Sequence, residues 1–232
     1  MADTAKGGRG LASRDVTIAI GREQSVSGLL DRPRDARACL VLAHGAGAPM
    51  THPFLAAVAE GLAGRGVAVL RYNFPYAERK SPRPDSASLA TATVRAAVTD
   101  ASRLMPKLPL FAGGKSFGGR MTSQAEAAEP LGVKGLVFLG FPLHPPGKRS
   151  DERAAHLARV HVPMLFLQGT RDAFAEMDLL EPLVAGLGER ATLHLFDSAD
   201  HSFHVAARTG RRDADLRREL IDATATWILA LV

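Results

Sequence analysis

Residues Pro109–Arg120 read PLFAGGKSFGGR, an apolar run that breaks into glycines on both sides of one serine, Ser116. Gly114 and Gly118 complete the pattern G-x-S-x-G around it. The pattern is typical of a sharp turn between a strand and a helix that holds a serine at its apex. The residues two positions away come so close together that the turn requires glycine there. We therefore predict that Ser116 is a nucleophile presented at the end of a strand.

Continuous apolar runs separated by helix-like segments predict the fold. Such runs are typical of strands that are covered on both faces, as in a parallel sheet. Two alternating segments, VTIAI and VSGLL, precede them and predict antiparallel strands at one edge. We expect an α/β fold with a mostly parallel, doubly wound sheet, antiparallel N-terminal strands and no cap domain. The six runs are ACLVLA (38–43), VAVLRY (67–72), LPLFAG (108–113), VKGLVFLG (133–140), PMLFLQG (163–169) and ATLHLF (191–196).

The length of 232 residues predicts one domain. The N-terminal stretch MADTAKGGRGLASR lacks the apolar segment of a secretion signal, so we expect a disordered tail at 1–13 and a domain at 14–232. Two loops, 73–88 and 141–151, are longer than a connection needs, which is typical of functional or mobile segments. Any lid would have to come from the first of them.

The composition argues against nucleic-acid and membrane partners. The net charge is +5, but the basic residues are dispersed, and the densest group (211–218) is interleaved with acids as on a solvated helix face. No stretch approaches the roughly 20 apolar residues of a membrane span. The single cysteine, Cys39, lies in an apolar run and fits a buried thiol in a reducing compartment. We expect a cytoplasmic monomer or homodimer that acts on a small molecule.

A serine hydroxyl needs a base and an orienting carboxylate before it can attack. In an open parallel sheet, ligands bind beyond the carboxyl ends of the strands, so residues directly after the apolar runs are favoured. His201 in ADHSF follows the last run and is the predicted base, with His204 in reserve. Asp172 closes QGTRD after the run 163–169 and is the predicted carboxylate. Weaker alternatives are Asp197, Asp200 and Glu176.

The developing oxyanion needs backbone N–H donors. We predict one from Phe117, directly after the nucleophile, and one from the small-residue loop HGAGA at Ala46, with Gly47 as second choice. His44 in that loop is expected to hold it by hydrogen bonds. Candidates for a substrate pocket, each of which is also compatible with a core position, are His44, Phe74, Tyr76, Phe141 and Leu143.

Six segments together resemble small dienelactone-hydrolase-like members of the α/β-hydrolase superfamily: HGAGAPM, RYNFPY, GGKSFGG, FLGFPLHPPGK, QGTRD and ADHSF. Within it they look most like a bacterial branch related to eukaryotic testis-expressed and chromatin-complex proteins. The chain order Ser116, Asp172, His201 is the one this superfamily uses. The resemblance implies a serine hydrolase without metal or organic cofactor. Dienelactone hydrolases carry cysteine where this chain has Ser116, so dienelactone itself is not the expected substrate.

We therefore expect cleavage of a small ester, thioester or lactone through an acyl-enzyme on Ser116. Acyl transfer to another acceptor would use the same residues and remains an alternative. A second alternative is a scaffold or regulatory protein on the same fold, which the chromatin-complex relatives suggest.

Overall fold

The computed structural model describes residues 13–22 and 24–232. The predicted disordered tail therefore lies outside the described residues except for Ser13. In the described ranges, eight strands form a single sheet. In chain order they are β1 (Arg14–Ile20), β2 (Gln24–Asp31), β3 (Ala38–Ala43), β4 (Val67–Tyr72), β5 (Leu110–Lys115), β6 (Leu136–Leu139), β7 (Met164–Gly169) and β8 (Ala191–Phe196).

The strand order across the sheet is β1-β2-β4-β3-β5-β6-β7-β8. β1 pairs antiparallel with β2 and β2 pairs antiparallel with β4, whereas every pair from β4 to β8 is parallel. The predicted mostly parallel sheet with an antiparallel N-terminal edge is confirmed. Because the parallel strands run in one direction, their carboxyl ends lie along the same edge of the sheet.

Helices cover both faces of the sheet, in line with the fully buried runs of the central strands. The α-helices are α1 (Pro53–Ala63), α2 (Pro75–Glu78), α3 (Ala87–Leu104), α4 (Phe117–Ala128), α5 (Met177–Gly186) and α6 (Asp213–Ala230). α1 and α6 pack on one face, while α3, α4 and α5 pack on the other. Short 3₁₀ segments occupy Glu152–Arg159, Gly188–Arg190 and Ala207–Thr209.

Three details differ from the sequence prediction. β5 begins two residues later than expected and continues to Lys115, because Gly114 and Lys115 still pair with β6. β6 covers only the four most apolar residues of the run at 133–140. The loop at 73–88 contains α2, which the short, proline-initiated sequence did not reveal. In the described part of the chain, no helix is long and apolar enough to cross a membrane.

Candidate active site

Ser116 lies on the turn between β5 and α4, with φ 50° and ψ −114°. Non-glycine residues rarely adopt such angles, which cost about 1–3 kcal/mol and persist only where neighbours enforce them. A Cβ on Gly114 would lie 2.7 Å from the backbone carbonyl carbon of Gly118, and one on Gly118 would lie 2.5 Å from the carbonyl oxygen of His44. The close approach predicted for the two glycines is therefore present, and it holds Ser116 at the apex.

Ser116, His201 and Asp172 form one hydrogen-bonded chain. Oγ of Ser116 donates to Nε2 of His201 at 2.8 Å, and Nδ1 of His201 donates to Oδ2 of Asp172 at 2.6 Å. The three residues follow β5, β8 and β7, so the shared strand edge brings together groups far apart in the chain. The Asp172 side chain is fully buried, whereas that of His201 is 19% exposed. An imidazole held in this way can accept the serine proton.

The carboxylate of Asp172 is held by two further donors. Nε2 of Gln168 donates to Oδ2 at 2.6 Å, and the backbone N–H of Phe174 donates to Oδ1 at 2.8 Å. The ring of Phe174 also stacks on the imidazole of His201, with ring centroids 4.2 Å apart. Gln168 and Phe174 were not among the predicted residues. A polar side chain inside the apolar run PMLFLQG was the available signal for Gln168.

Lys115, directly before the nucleophile, reaches the loop that carries the histidine. Its Nζ donates to the carbonyl oxygen of His201 at 2.6 Å. The ammonium group lies close to Gly140, where an added Cβ would be 3.0 Å from Nζ. Burial of the ammonium group lowers the pKa of Lys115 to about 8, although the carboxylates of Asp172 and Asp200 act in the opposite direction. Lys115 thus joins the turn of the nucleophile to the turn of the base.

His44 holds the small-residue loop after β3 in place. Nδ1 of His44 donates to the carbonyl oxygen of Gly45 at 2.8 Å, and its Nε2 accepts from the N–H of Phe74 at 3.0 Å. Burial lowers the pKa of His44, which fits the neutral ring that this pair of bonds requires. Among the described residues, neither the N–H of Ala46 nor that of Phe117 has a hydrogen-bond partner. Both donors are free to meet a developing oxyanion.

A cavity of about 280 Å³ opens at Ser116. Its walls combine the loop after β3, the start of α1 and the loops that carry Asp172 and His201. The ring of Phe54 forms part of the wall and stacks on Phe203, with centroids 5.8 Å apart. The lining residues are Gly45, Ala46, Ala48, His52, Phe54, Leu55, Lys115, Ser116, Phe174, His201 and Ser202.

The five predicted pocket residues lie in the interior and do not line this cavity. Their rings and side chains are at most 2% exposed, because they pack against one another and against Phe117 and Phe138. Tyr76 alone borders an adjacent cavity, which Lys80 also lines. The five are His44, Phe74, Tyr76, Phe141 and Leu143.

The reserve base, His204, has a different partner. Its Nδ1 lies 2.8 Å from Oδ2 of Asp213, and this hydrogen bond and charge raise the pKa of the exposed His204 imidazole. Because the ring is tied to α6, it does not take part in the chain of bonds at Ser116.

The three alternative carboxylates also have other partners. Oδ1 of Asp200 accepts from two backbone N–H groups of its own loop, at 2.8 and 2.9 Å, and so shapes the turn that presents the imidazole. Asp197 accepts from Ser198, and Glu176 contacts His144.

A second serine–histidine pair lies outside this site. Oγ of Ser123 is 2.7 Å from Nε2 of His156. The carbonyl oxygen of Arg120 also lies 2.9 Å from this hydroxyl, so it competes with Nε2 of His156 for the single proton of Ser123. Burial and the charges of Arg120 and Arg159 lower the pKa of His156 to about 4. Ser123 is buried and does not line the cavity at Ser116, so no substrate reaches it there.

The described residues contain no group of three or more histidine, cysteine, aspartate or glutamate side chains placed to hold a metal ion.

An eight-stranded, mostly parallel sheet with a serine on a glycine-bounded turn defines an α/β-hydrolase architecture. The chain belongs to this family: a family model described as an alpha/beta hydrolase domain matches residues 36–229.

Solved structures with the same fold include a dienelactone hydrolase from Anabaena variabilis, which is 20% identical, with 97% of this chain and 100% of that chain covered at a TM-score of 0.78. A lid-free α/β serine hydrolase from Xanthomonas campestris is 22% identical; 93% of this chain and 94% of that chain are covered, at a TM-score of 0.71. A cold-adapted esterase from an Arctic intertidal metagenomic library is 18% identical; 97% of this chain and 99% of that chain are covered, at a TM-score of 0.68. The fold is dienelactone-hydrolase-like, and the described residues show no cap domain.

Proposed function

We propose that this protein hydrolyses a small ester, thioester or lactone through an acyl-enzyme on Ser116. The observation that carries the proposal is the hydrogen-bonded chain from Ser116 through His201 to the buried Asp172. Family membership supports the wider class, and the serine hydrolase and esterase among the structures of like fold agree with it. The cytoplasm is the proposed location.

In the first half of the reaction, His201 takes the proton of Ser116 as Oγ attacks the carbonyl carbon of the substrate. The imidazolium that forms is stabilised by the Asp172 carboxylate, which Gln168 and Phe174 hold in place. His201 then gives the proton to the leaving alcohol, thiol or ring oxygen. In deacylation, His201 takes a proton from water as the water attacks the acyl carbon, and then returns it to Oγ of Ser116 as the ester bond breaks and the acid leaves.

The free N–H groups of Ala46 and Phe117 are the proposed donors to the tetrahedral oxyanion. Phe117 is the first residue of α4, so its N–H belongs to the unpaired set at a helix N-terminus, where partial positive charge favours an anion. Donors fixed in advance contribute about 3–4 kcal/mol each to such transition states. His44 is a positioning residue in this scheme, because its two bonds fix the loop of Ala46.

The cavity beside Ser116 is the proposed acyl site. At about 280 Å³ it suits a short acyl chain better than a long one. Phe54, Leu55 and Ala48 supply apolar parts of its wall. Phe54→Ala should therefore extend the range of accepted p-nitrophenyl esters toward longer chains, whereas Phe141→Leu should change stability and leave that range unchanged.

A panel of p-nitrophenyl esters, acyl-thioesters and lactones tests the activity directly. We expect turnover of short-chain members, and we expect Ser116→Ala to lower it by roughly a thousandfold or more with little loss of folding stability. Large destabilisation of Ser116→Ala would instead assign the serine a structural role. A folded wild type that turns over none of the panel and forms no acyl-enzyme would favour the scaffold alternative.

Acyl transfer remains the second candidate, because the same residues form the same acyl-enzyme. Partition of the acyl group between water and an added alcohol or thiol separates the two. A product ratio that follows the acceptor concentration without saturation identifies a hydrolase with an open site. Saturation at low acceptor concentration identifies a transferase.

A further inference from the structure

Phe203 lies two residues after His201 and has a backbone conformation that aromatic residues rarely adopt. Its φ is 61°, and among the described residues it is the one aromatic residue with a positive φ. A bulky side chain is strained in this region, whereas glycine adopts it freely. Such strain persists only where the surrounding structure enforces it. The contacts of the buried Phe203 ring therefore have to offset the strain of its backbone.

The strained residue closes the turn that carries the base. The N–H of Phe203 donates to the carbonyl oxygen of Asp200 at 3.0 Å, and the N–H of Asp200 donates to that of His204 at 3.0 Å. His201 lies between these closing bonds. The position of its imidazole therefore depends on how the turn 200–204 is fixed to the rest of the protein.

The ring of Phe203 fixes this turn to two other elements. It stacks on the ring of Phe54 at the start of α1, with centroids 5.8 Å apart and the ring planes 3° from parallel. It also meets Phe196, the last residue of β8, edge to face at 5.3 Å between centroids. Both arrangements are favourable for aromatic pairs. One side chain thus connects the turn to a helix and to the sheet.

The same ring lies beneath the ammonium group of Lys115. Nζ is 5.6 Å from the ring centroid of Phe203, a distance at which a cation is attracted to the face of an aromatic ring. This Nζ donates the 2.6 Å bond to the carbonyl oxygen of His201. The ammonium group is therefore held by the Phe203 ring and by the turn of the base together.

We propose that Phe203 is a positioning residue for His201, whose ring holds the turn 200–204 and the ammonium group of Lys115 in place. In this arrangement Nε2 of His201 lies 2.8 Å from Oγ of Ser116. Phe203 does not line the cavity at Ser116, so its effect on the reaction passes through the turn and Lys115. The inference rests on the proposed hydrolysis at Ser116.

Phe203→Leu tests the role of the ring, because it keeps an apolar side chain and removes the aromatic face. We expect kcat for p-nitrophenyl acetate to fall by about tenfold with KM unchanged, since the base is displaced and the cavity is not. Phe111→Leu is the matched control: its ring is also buried and packs edge to face on Trp227. The control should lower Tm and keep the wild-type kcat. A wild-type kcat in Phe203→Leu would overturn the proposal.

A double-mutant cycle with Lys115→Met tests the connection through the ammonium group. Residues that act through one contact give non-additive effects, whereas independent residues give effects that multiply in rate. The double variant Lys115→Met/Phe203→Leu should therefore lose less kcat than the product of the two single losses. Losses that multiply would overturn the role of Phe203 through Lys115.

NMR of the Nδ1 proton of His201, which is bonded to Asp172, tests positioning without turnover. Its resonance should broaden through faster exchange with water in Phe203→Leu and stay sharp in Phe111→Leu. Phe203→Gly, in which the turn keeps its angles without strain, should broaden it equally, because the ring is again absent. A sharp resonance in both Phe203 variants of an active esterase would overturn this inference alone. Broadening in a protein whose wild type hydrolyses no ester would support the positioning and contradict the proposed function alone.

Discussion

Nζ of Lys115 donates a 2.6 Å hydrogen bond to the carbonyl oxygen of His201. The residue before the nucleophile therefore fixes the loop of the base, so that two turns 86 residues apart in the chain are tied together. Glycine at position 140 leaves the room that this contact needs. Lys115, at the first variable position of G-x-S-x-G, therefore has a structural role in this protein, which is to hold the loop that carries His201.

Lys115→Met should lower kcat more than it changes KM for a neutral ester. Loss of a charge-assisted hydrogen bond is worth about 1.5 kcal/mol or more, which is roughly a tenfold effect on rate. Steady-state kinetics with p-nitrophenyl acetate measure both constants, and Lys107→Met, at an exposed lysine, is the control. A rise in KM confined to carboxylated esters would instead show that Lys115 contacts the substrate.

The lowered pKa of Lys115 also predicts a pH dependence of stability. Its pKa falls from 10.5 in the unfolded chain to about 8 in the fold. Between these values the unfolded state binds more protons, so the contribution of Lys115 to stability rises with pH; below pH 8 its unfavourable contribution is present in full. Urea unfolding from pH 7 to 10 should show this rise in the wild type relative to Lys115→Met. Parallel curves for the two proteins would contradict the assignment.

Gly118→Ala should prevent the turn at Ser116 from forming. The new Cβ would lie 2.5 Å from the carbonyl oxygen of His44, an atom of the backbone that cannot move away without disturbing β3. We expect a Tm lower by several degrees, from about 1–3 kcal/mol of strain, together with loss of esterase activity. Gly186→Ala, at a helical glycine with open space around it, is the matched control and should leave both unchanged.

Gln168→Leu should reduce activity through Asp172. It removes one of three donors to the carboxylate and leaves the N–H of Phe141 without its 2.8 Å acceptor. We expect kcat to fall by about tenfold with a modest loss of stability. Gln168→Glu separates loss of the donor to Asp172 from loss of the acceptor for Phe141. It keeps the acceptor for the N–H of Phe141 and places a like charge beside Asp172. Activity in Gln168→Leu equal to that of the wild type would show that Gln168 does not position Asp172 for the reaction.

The sequence was sufficient to predict the sheet and the meeting of Ser116, Asp172 and His201. Carboxyl ends of parallel strands share an edge, so position after an apolar run determines which polar residues come together. The cavity walls were not predictable in the same way. Phe74 and Phe141 follow strand ends just as Asp172 does, yet their rings turn inward because neighbouring aromatic rings cover them. Whether an aromatic ring lines a cavity or fills the core depends on how distant loops pack.

The central claim is that Ser116 is the activated serine, and covalent labelling with a fluorophosphonate tests it most directly. The chain offers an internal comparison, since Ser123 also contacts a histidine but is buried and does not line the cavity. We predict that peptide mapping finds the label on Ser116 alone, that Ser123→Ala is labelled like the wild type and that Ser116→Ala is not labelled. Label on Ser123, or equal labelling of Ser116→Ala, would contradict the account.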